Sequence, residues 1–96
     1  MTKADLIAKI SEETGLERNE VSRTIESMME SIKSSLTNGQ NVYLRGFGSF
    51  VVRERKQKTG RNISKNTTII IPAHNIPSFK PAKVFVEQVK NKVKVK

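Results

Sequence analysis

The chain has 96 residues with 35% apolar side chains, four Phe, one Tyr and no Trp, which suits one small domain whose core alone is only modestly stabilising. It contains no cysteine, which excludes a disulfide framework and a thiolate zinc site, and no apolar run nears the roughly eighteen residues that span a bilayer. The net charge of +9 is uneven: residues 1–40 hold five basic and seven acidic side chains, residues 41–96 thirteen basic and two acidic. The second segment therefore attracts polyanions, nucleic acid before anionic membrane.

The opening MTKADLIAKI lacks the character of a signal peptide, so a cytoplasmic protein is the default expectation. Thr2 followed by Asp5 predicts a capping box at the start of a first helix. Leu6, Ile7 and Ile10 give that helix one apolar face, and Gly15 is its expected stop. A second helix is predicted from about Glu17 to Thr37. Val21, Ile25, Met28, Ile32 and Leu36 recur at spacings of three and four, Met29 widens the stripe, and Asn38-Gly39 ends it. So long a stripe needs more cover than the first helix gives, from a sheet or a second subunit.

From Asn41 the pattern becomes that of strands. Val42 and Leu44 alternate with Tyr43 and Arg45, Gly46-Phe47-Gly48 predicts a tight reversal, and Phe50, Val51 and Val52 begin a second strand. Thr67 to Ile71 is rich in β-formers and runs into Pro72-Ala73, where proline implies a sheet edge. Residues 49–61 and 65–77 read as one long hairpin turning near Asn62 to Lys65. Pro77 and Pro81 mark the exit, with Pro81 placed in the first turn of a final helix. Val86, Val89 and Val93 give that helix one face, and KNKVKVK forms a basic tail.

Outward of Arg53 the hairpin lacks the apolar side chains needed to pack onto a body, and an isolated two-stranded ribbon is marginal in water. Arg53, Arg55, Lys56, Lys58, Arg61 and Lys65 oppose a single acid, Glu54. A ribbon so charged fits a phosphate-lined groove, and Gly60 removes a side chain where backbone would approach a sugar-phosphate wall. Arg61, Asn62 and Ile63 place a cation, an amide and an apolar side chain in succession. Minor-groove binders use this combination to hold the groove and wedge open a base step. The competing reading is a solvated turn whose isoleucine is merely exposed; the residues by themselves do not choose between the two.

Several segments together resemble the HU/IHF family of bacterial histone-like DNA-binding proteins. They are Arg45-Gly46-Phe47-Gly48-Ser49-Phe50, Gly60-Arg61-Asn62, Ile71-Pro72-Ala73, and Pro77-Ser78-Phe79-Lys80-Pro81-Ala82-Lys83. The two N-terminal helices match as well, so the resemblance covers nearly the whole chain, and the family is itself a standing example of minor-groove bending. It implies an α+β fold: a base of two helices, a three-stranded antiparallel sheet with a long β-ribbon arm, a short C-terminal helix, and an intertwined dimer. One domain over 1–96 is expected, with 1–40 the helical dimerisation part and 41–82 the sheet and DNA-binding arm (arm about 53–75). The C-terminal helix and basic tail take 83–96. Phe47, Phe50 and Phe79, with Met28 and Ile32 of the helix stripe, are expected in the dimer core. Arg53, Arg55, Lys56, Lys58, Lys80 and Lys83 would contact phosphates, Arg45 and Lys65 would add to the DNA surface, and Lys3 would reach flanking DNA. Arg61 and Asn62 would enter the minor groove. Ile63 stands where the family usually has a proline wedge: bulk is kept, but an N–H and rotamer freedom are added. Ser64-Lys65-Asn66 also departs from the usual tip.

Other readings are weaker. Asn62-Ile63-Ser64 and Asn66-Thr67-Thr68 fit the glycosylation acceptor pattern, which without a secretory signal reads as chance. His74 is the single histidine, and neither a carboxylate cluster nor a glycine-rich phosphate loop accompanies it, so no enzyme, cofactor, metal or small-molecule substrate is expected. A membrane module would carry its cations on an amphipathic helix, and single-strand RNA readers supply stacking aromatics that the arm lacks. The expected partners are double-stranded DNA and a second copy of the chain. The reading is a bender of DNA largely indifferent to sequence. The alternative is a site-specific, IHF-like bender, which could be half of a heterodimer.

Overall fold

The computed structural model describes residues 1–62 and 67–95. The fold is α+β, in the order α1 (Lys3–Thr14), α2 (Arg18–Thr37), β1 (Val42–Leu44), β2 (Gly48–Arg55), β3 (Lys58–Asn62), β4 (Thr67–Ile71), β5 (His74–Pro81) and α3 (Lys83–Lys92). It comprises two compact units, Met1–Ser35 and Leu36–Lys96.

In the first unit, the capping box forms as its residues dictate. The Asp5 backbone N–H donates to Thr2 Oγ1 at 3.2 Å, and the Thr2 N–H donates to Asp5 Oδ2 at 2.9 Å. Gly15 ends α1 at φ 78°, a left-handed conformation that a side chain would resist, and its N–H returns to the Ser11 carbonyl. Lys3 of α1 ion-pairs with Glu26 of α2. The α2 stripe is covered only at its start: Val21 is 3% exposed, Ile25 and Ile32 are half-buried, and Met28 is 48% exposed.

The second unit holds a three-stranded antiparallel sheet, ordered β1-β2-β5, and a two-stranded ribbon, β3-β4. Gly46 turns the chain between β1 and β2 at φ 82°, and the Phe47 N–H closes that turn on the Leu44 carbonyl at 2.9 Å. Beyond the short β1, the Asn41 side chain substitutes for a strand, its Oδ1 accepting from the Val52 N–H at 2.9 Å. That bond also fixes the geometry of the other ladder. Val52 points its N–H toward β1, so its partner Pro77 sits at a non-hydrogen-bonded pair, where a missing donor costs nothing. Pro81 opposite Gly48 has the same parity.

Two sequence expectations change here. Pro77 and Pro81 belong to the edge strand β5, and Pro81 is its last residue, not part of the final helix, which Ala82 caps. The long hairpin is also not continuous: Lys56-Gln57 and Pro72-Ala73 interrupt it and divide sheet from ribbon.

Alternation along the strands gives the sheet two unlike faces. Val42, Leu44, Phe50, Val52 and Phe79 share one of them. There Phe50 meets Phe79 at 4.9 Å between ring centroids and Phe79 meets Phe47 at 5.2 Å, while Phe85 of α3 stacks on Phe47 at 5.6 Å. Each such pair contributes about 0.5–1.5 kcal/mol beyond its buried area. Gly48 lies buried beneath them. A Cβ there would come within 2.6 Å of the Lys80 carbonyl oxygen and the Phe79 ring, so only glycine permits this approach of β2 to β5.

Candidate nucleic-acid interface

The opposite face of the sheet carries Tyr43, Ser49, Val51, Arg53, Arg55, His74, Ile76, Ser78 and Lys80. No acid is among them. Glu54 pairs with Asn75 and therefore projects to the aromatic side. Tyr43 is 72% exposed and lines a shallow groove with Ser49, Val51, Arg53 and Lys80, whose rim also takes in Asn41, Val52 and Glu54. Arg53 and Arg55 are exposed, and no ion pair engages either of them among the described residues. An unpaired, exposed, single-sign face of this kind concentrates polyanions.

The cations continue outward. Lys56 lies in the break between sheet and ribbon, and Lys58 opens β3 opposite Ile71. Arg61 and Asn62 stand at the far end of β3 in register with Thr68 and Thr67. Ile63 and Lys65, the expected wedge and tip cation, lie outside the described residues. Arg45 is exposed in the β1–β2 turn. Lys83 begins α3 without an acid in that first turn; a cation at the positive end of a helix opposes the dipole, so helix stability does not explain it. Lys3 stands on the first turn of α1, in the other unit, ion-paired to Glu26.

The ribbon differs from the sequence expectation in one respect. It is not purely polar outward of Arg53, because Ile69, Ile70 and Ile71 of β4 pair with Gly60, Thr59 and Lys58. Ile69 and Ile70 alternate in facing, and Ile70 is 63% exposed. These isoleucines were legible as strand formers, but their position opposite the basic strand depends on register. Phe85 was also missed, since the last helix was read from its valines alone. Of the expected dimer core, Phe47 and Phe79 are 46% and 37% exposed and Phe50 is half-buried in the single chain. The structure thus gathers the expected Phe47, Phe50 and Phe79 into one cluster, with Phe85 added from α3.

The model of the bacterial DNA-binding protein family matches residues 1–90. The chain belongs to this family. A prophage-derived DNA-binding protein HU 2 of Bacillus subtilis is 41% identical over 92 residues, which span 96% of this chain and all of that protein. The DNA-binding protein HU of Thermus thermophilus is 39% identical over 90 residues, 94% of this chain and 93% of that one. Among solved structures, an Anabaena HU–DNA cocrystal structure superposes with a TM-score of 0.89 at 35% identity, covering 93% of this chain and 97% of that one. For a bacterial DNA-binding protein of this type, the acid-free face and the basic ribbon beyond it are the features that call for a ligand. No helix among the described residues is long and apolar enough to cross a membrane.

Proposed function

We propose that this protein is a histone-like architectural protein that binds double-stranded DNA as a homodimer, largely without regard to sequence, and bends and compacts it with basic β-arms in the minor groove. The observation that carries this reading is the two-sided sheet. One face is aromatic and incompletely covered; the other presents Arg53, Arg55 and Lys80 without an acid and leads into the basic ribbon. Membership of a DNA-binding family and likeness to an HU fold crystallised with DNA support it.

In this reading Arg53, Arg55, Lys56, Lys58, Lys80 and Lys83 neutralise phosphates, with Arg45 and Lys65 adding to the same surface and Lys3 meeting flanking DNA. Arg61 and Asn62 hold the minor groove, and Ile63 is the wedge at the tip. Unstacking a base step costs a few kcal/mol, offset by the added contact of a bent duplex. Val21 is the only buried apolar residue among those described, too little for a stable isolated chain. A second copy covering Met28, Ile32, Phe47, Phe50 and Phe79 would supply the missing burial, within a single domain over 1–96. The protein then works on the nucleoid, in the cytoplasm, and needs no catalytic group.

Comparing affinities for random duplex and for the best sequence selected from a random pool tests the indifference to sequence. A ratio well below about a thousandfold, the low end for specific binders, is expected. A larger ratio would make it a site-specific bender instead.

A further inference from the structure

His74 opens β5 directly opposite Arg55. It lies on the acid-free face, is exposed, and stands at the joint where the sheet gives way to the ribbon. Its Nδ1 is 2.9 Å from the Pro72 carbonyl oxygen. A carbonyl can only accept, so Nδ1 carries the hydrogen and donates it. The state of the other ring nitrogen follows. In the neutral ring Nε2 bears a lone pair and no hydrogen, and it repels a phosphate oxygen. In the imidazolium Nε2–H is a charged donor, while the bond to Pro72 is unchanged. The ring is therefore aimed before any ligand arrives, and protonation alone decides whether it can hold an anion.

The charged groups around it are nearly all cations. Arg55 is its cross-strand partner and Arg53 stands opposite Ile76, both on the same face. Lys56 follows Arg55 in the joint, Lys58 begins β3, and Lys80 lies farther along β5. Glu54 is on the other face. A phosphodiester seated among them would place its negative charge beside the ring and favour the protonated form.

We propose that His74 is a phosphate ligand at the root of the arm which engages the DNA backbone only as the imidazolium, so that each arm takes up a proton as DNA binds. This rests on the DNA-binding reading above and adds to it a residue and a proton linkage. Affinity rises as pH falls through the histidine range, because the bound state holds more protons. An exposed charge pair of this sort changes affinity about two- to fivefold, and two arms multiply the factor.

The test is the dissociation constant for a fluorescent random-sequence duplex at about pH 5.5 and about pH 8, the ends of the histidine range, at fixed ionic strength. It is measured for the full chain, His74→Gln and His74→Lys. The unmodified protein should tighten about four- to twenty-five-fold on acidification when both arms engage. His74→Gln should stay at the weak level and His74→Lys at the tight one, at both pH values. The α-amino group also titrates in this range, but all three proteins retain it. The same pH dependence in His74→Gln as in the unmodified protein would overturn the proposal while leaving DNA binding intact. Absence of duplex binding at both pH values and low salt would overturn the DNA-binding reading and the proposal with it.

Discussion

Gly46 and Gly48 flank one phenylalanine in one turn, and the structure requires glycine at each for a different reason. At Gly46 a Cβ meets nothing within 4 Å, but φ is +82°, so Gly46→Ala should cost only the left-handed penalty of about 1–2 kcal/mol. At Gly48 φ is ordinary, yet the Cβ would lie 2.6 Å from the Lys80 carbonyl oxygen and from two carbons of the Phe79 ring. Neither neighbour can yield alone. The carbonyl belongs to the β2–β5 ladder, which the Ala82 N–H to Phe47 carbonyl bond at 2.9 Å locks at its end. The ring is held between Phe47 and Phe50. Relief means prising β5 from β2, at the upper end of the about 1–3 kcal/mol typical of overpacking or beyond it. At about 4–8 °C per kcal/mol for a chain of this size, Gly48→Ala should lower Tm by roughly 12 °C or more, and clearly further than Gly46→Ala. Because Lys80 is displaced, duplex affinity should fall too. Thermal melts of the two variants side by side decide the matter, and a Gly48→Ala protein at least as stable as Gly46→Ala would refute the packing argument.

Ile63→Ala should reduce DNA bending, read by FRET between duplex ends, more than it weakens binding to straight duplex; an unchanged bend angle would remove Ile63 as the wedge. Arg55→Gln should weaken binding to all sequences alike and flatten the slope of log K against log salt by about 0.9 for each phosphate no longer neutralised, whereas weakening confined to particular sequences would mean a base-reading role. Sedimentation at micromolar concentration should give a dimer, and a cooperatively folded monomer would refute the shared core. Thr2→Ala should cost about 1 kcal/mol through removal of the cap, seen in a chemical denaturation midpoint; no shift would mean that α1 frays without consequence.

What could be read from the sequence was mostly local. The Thr2–Asp5 box, the Gly15 stop and the α2 stripe depend on spacings within one helix, and each formed as expected. The order of strands followed from alternation and from the Gly46–Gly48 reversal. Register was harder. Pro81 looked like the start of a helix because proline suits a first turn, but the tolerance of β5 for Pro77 and Pro81 depends on which ladder positions lack a bond. The break at Lys56-Gln57 opposite Pro72-Ala73 is likewise a property of two paired segments. The cationic arm was legible from charge alone, whereas Ile69–Ile71 opposite it and Phe85 against Phe47 depend on pairing and packing. His74 was visible as a residue, but the Pro72 bond that gives its ring a direction was not.

The basic half of the chain, in this account, works by neutralising DNA phosphates. The direct measurement is the equilibrium constant for a random-sequence duplex across a range of salt concentrations. If the cations of two arms engage, log K should fall linearly with log salt, with a slope of about −5 or steeper. A slope shallower than about −2, corresponding to one or two phosphates, would contradict it.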